Sequence, residues 1–318
     1  ESYQRSPIVH VYQTGTGLRR RLDDPKASDD FPILGELRAE GVTDYLVSPL
    51  IFSNGEIHGV TWTTRRSGGF TDDEIAGIDA VVKPLARVAE IWALRRMATT
   101  LLNTYVGTHT GERILAGGIR RGHVETIHAV IWLSDMRGFT PLADRLPPRT
   151  LVELLNRYFD CQVPDIMEHG GEVLKFIGDG LLAIFPVASD ESDAEWVCGE
   201  VLAVARTVRA KIAALRGALA IEGLGDVRFG LALHLGEVLY GNIGGGDRLD
   251  FTCIGPAVNL AARVEKLTGK LGRTVLASGR FARHCAAELG PVGEFALAGF
   301  TALQMVFGLP DEAADPET

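Results

Sequence analysis

The pattern of apolar and polar positions gives the front of the chain a small sheet followed by a long helix. β-branched and aromatic residues are concentrated in Ile8–Tyr12, Thr43–Phe52 and Glu56–Thr64, and we predict a strand for each segment. The sequence Ser-Asn-Gly at Ser53–Gly55 separates the last two, which indicates a hairpin because Asn-Gly readily adopts the backbone of a tight turn. Phe31–Glu40 has the pattern of a short helix between strands.

The long helix begins with a capping box, in which Thr71 is followed three residues later by Glu74. Pro84 lies inside the helix and is expected to bend it. The apolar face either covers the preceding sheet or forms the seam of a parallel dimer, and the pattern fits both. Apolar residues recur at spacings of three and four at Ile75, Ile78, Val82, Leu85, Val88 or Ala89, and Trp92, and continue beyond Arg95 and Arg96 at Met97, Leu101, Leu102 and Tyr105.

Strands and helices alternate in the second part of the chain, after a Gly- and Thr-rich connector at Gly107–Gly122. Several consecutive strands are close enough for hairpins, so we predict a mixed sheet with helices packed on it. The predicted elements are, in order, strand Thr126–Ser134, helix Pro148–Met167 with a kink near Pro164, strands Glu172–Ile177 and Leu181–Phe185, helix Ser189–Leu215, strands Val227–Leu235 and Glu237–Ile243, helix Ala257–Leu267, strand Thr274–Ala277 and a terminal pair near Glu294–Gly308.

Length and composition set the class of protein. The 318 residues predict two or three domains, and 46% apolar residues are enough for real cores. A net charge of −9, with Lys and Arg scattered, argues against a nucleic-acid partner. No apolar stretch approaches the roughly 20 residues that span a bilayer, no signal peptide opens the chain, and the four cysteines have neither zinc nor disulfide spacing. We therefore expect a soluble, cytoplasmic protein, and the missing start methionine indicates that upstream sequence has been removed.

Two carboxylates occupy positions that favour metal chemistry. Asp135 follows the continuously apolar strand Ala129–Leu133, where a carboxylate is costly unless it is paired or bound to a metal. Asp179 lies at a hairpin tip between Gly178 and Gly180, which allow a tight turn. If the two strands are neighbours, these side chains form the minimal cage for one or two Mg²⁺ ions. Taken singly, Asp179 is more simply interpreted as an ordinary turn residue and Asp135 as a helix cap.

Three stretches around these residues resemble the class III nucleotidyl cyclases. They are Asp135–Thr140 (DMRGFT), Gly170–Gly180 (GGEVLKFIGDG) and Thr252–Arg263 (TCIGPAVNLAAR), and their order and spacing match that family. The resemblance extends over Val124–Leu309. It implies an α+β domain with a ferredoxin-like βαββαβ core, and two such domains that pair head to tail with active sites in the groove between them.

The same resemblance implies roles for individual residues. Asp135, Asp179 and the main-chain carbonyl of Met136 would hold two Mg²⁺ ions, for which Mn²⁺ is a substitute. Asn259 would orient the ribose, and Arg263 would bind the phosphates as charge grows in the transition state. Asn259 and Arg263 are four residues apart on a predicted helix, so they share one face.

The choice of base depends, in ATP-selective members of the family, on a Lys four residues before the second metal Asp and an Asp or Thr seven residues before the Asn. Lys175 and Thr252 occupy these positions. A Lys donates to the acceptor N1 of adenine, whereas guanine carries a proton there and needs a carboxylate, so Lys175 favours ATP. Cys253 points to the other face of its strand and is interpreted as packing. Phe139 and Thr140 are further substrate-binding candidates. Thr252, in place of an Asp, resembles a subgroup of the family in which bicarbonate stimulation is common, which makes bicarbonate a candidate activator.

One departure from the family pattern concerns the phosphates. The family often carries Leu-Lys-Gly near the C-terminus, and its Lys reaches the terminal phosphates of ATP, but this sequence has Ala298 in that place. Arg248 is a candidate replacement, although its loop is equally typical of a flexible hairpin tip. For Arg263 the alternative interpretation is a surface salt bridge with Glu265 or another acid.

The front of the chain resembles the later part of a GAF domain, a small-molecule sensor built on an antiparallel sheet. His10, His58 and Trp62 are candidates to line its pocket, or else ordinary strand residues. The long helix would carry a change in the sensor to the cyclase dimer. We predict a GAF-like segment over residues 1–70, truncated at its N-terminus, a signalling helix and connector over 71–123, a cyclase domain over 124–309 and a tail over 310–318.

The resulting functional prediction is an adenylate cyclase that converts ATP to 3′,5′-cyclic AMP and pyrophosphate as a homodimer. Dimerisation is required because, in the family pattern, Lys175 and Asp179 of one chain serve different active sites. A degenerate domain that binds a nucleotide or a partner without turnover is an alternative, supported by Ala298. A guanylate cyclase is a further alternative, which Lys175 disfavours.

Overall fold

The computed structural model describes residues 6–24, 30–118, 120–188, 191–224, 226–246 and 248–312. The chain forms two compact units, residues 1–100 and residues 101–318. Ser189, at the start of a predicted helix, Asp247, in the predicted hairpin tip, and residues 313–318 of the predicted tail lie outside the described residues. The predicted domain limits at 70, 123 and 309 stay predictions.

The first unit contains a three-stranded antiparallel sheet in the order β1-β2-β3. The predicted hairpin is confirmed, since β2 and β3 pair from Asp44↔Thr64 to Ile51↔Ile57. Tyr45 and Val47 of β2 pack with the first two helices, whereas Leu50 packs with the third, so the sheet is covered on both faces. The elements are α1 Pro7–Thr14, β1 Leu18–Arg21, α2 Pro32–Ala39, β2 Asp44–Ile51, β3 Ile57–Thr64 and α3 Asp72–Val106, which continues beyond this unit.

The predicted strand at Ile8–Tyr12 is wrong, because these residues lie in helix α1. The oxygen of Ser6 accepts from the amide of Ile8 at 3.4 Å, and Pro7 occupies the first turn, where its missing N–H costs nothing. Val11 is fully buried against the sheet. A cap and one buried contact therefore outweigh the strand preference of these β-branched residues.

Helix α3 begins as predicted, with a reciprocal capping box. The amide of Thr71 donates to Glu74 at 2.8 Å, and the amide of Glu74 donates to the Thr71 hydroxyl at 3.3 Å. Along the first half of the helix Val82, Leu85 and Ala89 pack against the sheet, so Ala89 rather than Val88 continues the inner face. The second half leaves large apolar side chains exposed, namely Ile91, Trp92, Leu94, Met97, Leu101 and Tyr105.

The second unit is built on an eight-stranded mixed sheet with the order β10-β11-β9-β7-β4-β6-β5 and with β8 paired to β7. The neighbours β7-β4-β6-β5 have the strand order of a ferredoxin-like βαββαβ core, and β7 and β9 are parallel, which confirms the predicted fold class. The elements are α4 Thr108–Leu115, β4 Val124–Arg137, α5 Phe139–Arg145, α6 Pro148–Asp160, α7 Val163–Glu168, β5 Glu172–Ile177, β6 Gly180–Val187, α8 Glu191–Ile221, β7 Arg228–Gly245, β8 Arg248–Ile254, α9 Pro256–Lys270, β9 Val275–Ser278, α10 Gly279–Ala282, β10 Gly290–Phe295 and β11 Gln304–Gly308.

Alternate residues of β4 face two separate cores. Val130 and Trp132 pack with α6 and α8 on one face, whereas Ala129 and Ile131 pack with α9 on the other. Since both faces are covered, the strand is apolar throughout, as its sequence predicted. No helix in the described ranges combines the length and the apolar composition that crossing a membrane requires.

Three predicted elements differ from the structure. The connector Gly107–Gly122 contains helix α4, and the helix predicted over Pro148–Met167 is divided into α6 and α7. The strands predicted on either side of Gly236 are one continuous strand, β7. A Cβ on Gly236 would lie 2.8 Å from the Cβ of Ala257, so this glycine permits close approach of α9 rather than a turn.

Candidate active site

Asp135 and Asp179 are brought together by the register of β4 and β6. The ladder runs to Ser134↔Leu181, which places Asp135 beside Gly180. A Cβ on Gly180 would lie 3.0 Å from Oδ1 of Asp135, so a larger residue would crowd the carboxylate. The hairpin closes at Ile177↔Gly180 with Gly178 at φ 64°, which leaves Asp179 at its tip next to Asp135.

The two carboxylates interact unfavourably when both are ionised. Burial, and then the charge of Asp179, raise the pKa of Asp135 to about 6. Burial also raises the pKa of Asp179. Glu265 of α9 extends the acidic environment, since burial and then Asp135 raise its pKa to about 7. A cation between Asp135 and Asp179 would relieve this repulsion, so the arrangement fits a metal site.

The donor set available to a metal is small and consists of oxygen. In the described ranges no group of three or more His, Cys, Asp or Glu side chains forms a metal cluster. Asp135 and Asp179 are candidate ligands for Mg²⁺, a hard cation that prefers oxygen and keeps water or phosphate oxygens as further ligands. The side chain of Met136 is 3% exposed, and its amide donates to the Asp135 carboxylate.

A second cluster joins β5 to β8. The ammonium group of Lys175 is ion-paired with Asp250, which is two residues before Thr252 and therefore on the same face of β8. Thr252 is buried with 6% exposure. The structure thus brings Lys175 to the strand face of Thr252, with Asp250 as its direct partner. Sequence reasoning missed Asp250, although its i, i+2 relation to Thr252 was a usable signal. Cys253 is 2% exposed and belongs to the core, as predicted.

Asn259 and Arg263 lie on one exposed face of α9, as their spacing predicted. Nε of Arg263 donates to the carbonyl of Ala298 at 3.3 Å. Among the described residues Arg263 has no ion pair within 4.0 Å, so the alternative of a salt bridge with Glu265 is not realised. The guanidinium is therefore next to the position where the family often carries its phosphate Lys.

The remaining candidates are less closely grouped. Phe139 begins α5 and packs partly against the core, whereas Thr140 next to it is exposed. Arg248 is exposed at the first register pair of the β7–β8 hairpin, opposite Gly245. None of these three has a hydrogen bond or ion pair to Asp135, Asp179 or Lys175 in the described part of the chain.

A buried polar network connects α4 to the strands of the site. The carboxylate of Glu172 accepts from Thr110 of α4 at 2.8 Å and from the hydroxyl of Tyr240 on β7. The guanidinium carbon of Arg113 lies 5.6 Å from the centre of the Tyr240 ring. Glu172 begins the strand that carries Lys175, so α4 is fixed directly to this part of the sheet. Neither Thr110 nor Tyr240 was identified from sequence.

Comparison with known proteins identifies the family of this chain. The profile of the adenylate and guanylate cyclase catalytic domain matches residues 123–299, which is more than half of the chain. This chain belongs to the adenylate and guanylate cyclase family. The chain is 33% identical over 181 residues to adenylate cyclase 1 of Rhizobium meliloti (strain 1021), a match that covers 55% of this chain and 26% of that protein.

Solved structures show the same fold. A bacterial light-regulated adenylyl cyclase aligns with a TM-score of 0.59 and 26% identity, over 72% of this chain and 65% of that one. A guanylyl cyclase aligns with a TM-score of 0.50 and 25% identity, over 59% of this chain and 95% of that one. Because adenylyl and guanylyl cyclases are both similar to this cyclase domain, the base must be argued from the site. The chain spans about a quarter of the length of the Rhizobium relative.

Proposed function

We propose that this chain is an adenylate cyclase that converts ATP to 3′,5′-cyclic AMP and pyrophosphate. In this reaction the ribose 3′-oxygen bonds to the α-phosphorus while the bond from that phosphorus to the pyrophosphate oxygen breaks. The observation that carries the proposal is the contact of Asp135, on β4, with Asp179, at the tip of the β5–β6 hairpin, combined with Lys175 on β5 of the same hairpin. The first feature suits a metal-bound triphosphate and the second suits adenine.

The carboxylates of Asp135 and Asp179, with the carbonyl of Met136, would hold two Mg²⁺ ions, and Mn²⁺ would replace them. Bound metal would lower the pKa of the ribose 3′-hydroxyl and neutralise charge on the phosphates. The protein itself supplies a pair of neighbouring acids whose repulsion favours cation binding.

Base selection is assigned to Lys175, Asp250 and Thr252. Lys175 would donate to N1 of adenine, and the 6-amino group would donate to an oxygen of Asp250 or Thr252. Adenine presents the acceptor N1 next to the donor 6-amino group. A protein donor next to a protein acceptor therefore matches this edge of the base. The ion pair with Asp250 also holds the Lys175 side chain in place before substrate arrives.

Arg263 and Asn259 would act on the sugar and phosphates of the substrate held by the other subunit. Both are exposed on α9, as a contact across a subunit groove requires. Arg263 would stabilise negative charge on the phosphates, and Asn259 would hydrogen bond to the ribose. We propose a homodimer with two such sites, and the exposed apolar side chains on the second half of α3 are candidates for a further part of its interface.

The first unit is proposed as a regulatory sensor. A cavity of about 670 Å³ lies between β2 and the first half of α3, with Leu46, Phe52 and Val82 among its lining residues. Its size suits a small-molecule effector. Helix α3 would transmit the response, since it begins on the sensor sheet and ends in the unit that carries the cyclase domain. Bicarbonate is a further candidate activator, and the ATP requirement suits a cytoplasmic location.

The direct test is to incubate purified protein with Mg²⁺ or Mn²⁺ and either ATP or GTP, and to identify the product by chromatography. We expect cyclic AMP from ATP and little cyclic GMP. A mixture of Asp135→Asn and Arg263→Ala chains provides the sharper test, because each mixed dimer keeps one complete site. Random pairing predicts roughly a quarter of the wild-type rate, from two chains that are inactive alone. No recovery on mixing would contradict the shared site.

A nucleotide-binding domain without turnover is the second candidate, and Ala298 is the observation that favours it. The loss of one phosphate contact weakens ATP binding, although Arg263 is close to this position. Saturable ATP binding without any cyclic product, with either metal, would favour this candidate over the enzyme.

A further inference from the structure

An arginine-lined cavity lies in the cyclase unit, apart from the residues assigned to ATP. Its volume is about 220 Å³, and Arg137, Arg209, Arg216 and Arg228 contribute to its wall. In the described part of the chain no carboxylate side chain lines it. The wall of this one small cavity is therefore rich in cationic side chains.

Two of these arginines are opposite each other in the sheet. Arg137 is the last residue of β4, and Arg228, the first residue of β7, is its register partner. Like charges in directly opposite positions destabilise a strand pair. An anion between the two side chains would convert this repulsion into attraction.

The guanidinium of Arg137 is also incompletely hydrogen-bonded. Its Nη2 donates to the carbonyl of Arg273, but its Nε is buried and has no hydrogen-bond partner among the described residues. A buried donor without a partner is costly, and native structures rarely contain one without a reason. A ligand with acceptor oxygens would satisfy this donor.

The acids that pair with the other arginines of the cavity form no ion pair with Arg137 in the described ranges. Arg216 and Arg228 share the single carboxylate of Asp226. Arg209 pairs with Asp311 and Glu312. In the described ranges Arg137 has no ion pair within 4.0 Å. The guanidinium with the unmet donor is thus also the one that has no ion pair within 4.0 Å in the described ranges.

We propose that this cavity binds a small oxyanion, of the class of inorganic phosphate or bicarbonate, between Arg137 and Arg228. The planar fork of a guanidinium matches paired oxygens on such an ion. The cavity is smaller than the roughly 300 to 1,000 Å³ of sites for drug-sized ligands, which favours a small ion over a nucleotide. Because Arg137 is two residues after Asp135 on β4, a bound ion also fixes the strand end that carries this carboxylate.

The test is calorimetric titration of the full chain with inorganic phosphate, and separately with bicarbonate, at constant ionic strength in EDTA and without ATP. We expect saturable binding of one ion per chain, and the tighter of the two ions identifies the ligand. Arg228→Gln should weaken binding by about tenfold or more, as expected for the loss of one charge-assisted hydrogen bond. The matched control is Arg206→Gln on α8, which removes the same charge from an exposed ion pair with Glu288. Arg206 is outside the cavity lining, so this variant should change the affinity less than about twofold.

Three outcomes would overturn the proposal. They are no saturable binding of either ion, equal weakening by Arg228→Gln and Arg206→Gln, and loss of binding in Arg263→Ala, which would place the ion in the nucleotide groove. If Arg228→Gln does not fold, Arg216→Gln changes the same wall from α8 and is expected to weaken binding in the same direction. The titration needs neither metal nor turnover, so its result is independent of whether the chain makes cyclic AMP.

Discussion

The ammonium group of Lys175 is held by the carboxylate of Asp250, on the strand face that also carries Thr252. The pair joins β5 to β8, so it depends on the register of β7 with β8, which sets Asp250 opposite Ile243. The Lys175 side chain is 28% exposed and that of Asp250 61%, so an incoming base can reach both. This ion pair places a donor, Lys175, and an acceptor, Asp250, side by side for the proposed contact with adenine.

Lys175→Glu tests base selection. We expect kcat/KM for ATP to fall roughly 10- to 100-fold, because the charged donor to adenine N1 is replaced by a group that repels Asp250 and accepts instead of donating. Initial rates with ATP and with GTP measure the effect. The control is Lys270→Glu, which makes the same charge change at the exposed end of α9. An unchanged preference for ATP in Lys175→Glu would remove the base-reading assignment.

Asp135→Asn tests the metal assignment. We expect turnover to fall roughly a thousandfold or more, because an amide cannot replace a carboxylate that neutralises bound cations. In EDTA the melting temperature should stay the same or rise, since the neutral amide of this variant no longer repels the carboxylate of Asp179. Calorimetry and sedimentation would measure stability and the dimer. Substantial cyclase activity in the variant contradicts the assignment.

His234 predicts a pH dependence of folding stability. It is 2% exposed, hydrogen bonds to Ser278 at 2.6 Å, and its pKa is lowered to about 4 by burial and then by Arg280. A folded-state pKa below the unfolded value near 6.5 means that stability is complete above pH 6.5 and is lost as the pH falls towards 4. The full loss corresponds to roughly 3 kcal/mol.

The measurement compares unfolding of wild type and His234→Gln at pH 7.5 and pH 5. The difference between the two proteins isolates His234, because Asp135 and Glu265, whose pKa values are raised, act in the opposite direction in both. We expect wild type to lose more stability than the variant on acidification. His128→Gln, at an exposed position of β4, is the control and should follow wild type. Parallel pH curves for wild type and His234→Gln would contradict the prediction.

Ala298→Lys tests the departure from the family pattern. Ala298 is exposed and its carbonyl accepts from Arg263, so a longer side chain has room and starts next to the proposed phosphate site. We expect KM for ATP to fall by about tenfold, the effect of one added charge-assisted hydrogen bond. Thr301→Lys places the same charge on a nearby exposed position and should have less effect. An unchanged KM would mean that Arg263 or Arg248 already supplies this contact.

Local signals predicted the parts of the fold that local interactions determine. The Ser53–Gly55 turn and the Thr71 capping box depend on neighbours in sequence, and both were predicted correctly. Ile8–Tyr12 was predicted wrongly because a helix cap and the burial of Val11 decide its conformation. Gly236 was wrongly interpreted as a break between two strands. A glycine is needed there because α9 packs closely against β7, and the contacting residue, Ala257, is 21 residues away in sequence.

The residues of the candidate site likewise divide into those that local sequence signals predicted and those that they did not. Asp135 and Asp179 were identified because one follows an apolar strand and the other lies in a tight turn, and because the stretches around both resemble the cyclase family; all of these features are visible in sequence. Asp250 and Glu172 were missed because their partners come from other strands and helices, through a register that no local pattern specifies. Cavities are harder still to predict from sequence. Arg137 and Arg228 meet at the arginine-lined cavity only because of the antiparallel register of β4 and β7.

The last prediction concerns the attachment of α4 to the sheet. Tyr240→Phe removes a hydroxyl that donates to the buried carboxylate of Glu172, which then keeps Thr110 of α4 as its side-chain donor. We expect a loss of roughly 1.5 to 3 kcal/mol in the unfolding free energy of the cyclase unit. We also expect faster hydrogen exchange in α4, because Glu172 anchors this helix. The control is Tyr105→Phe, which removes a hydroxyl from a residue that is 82% exposed and should change neither quantity. Unchanged exchange in α4 despite lower global stability would show that Glu172 holds the strand alone, and that a signal arriving through α3 must reach Lys175 by another route.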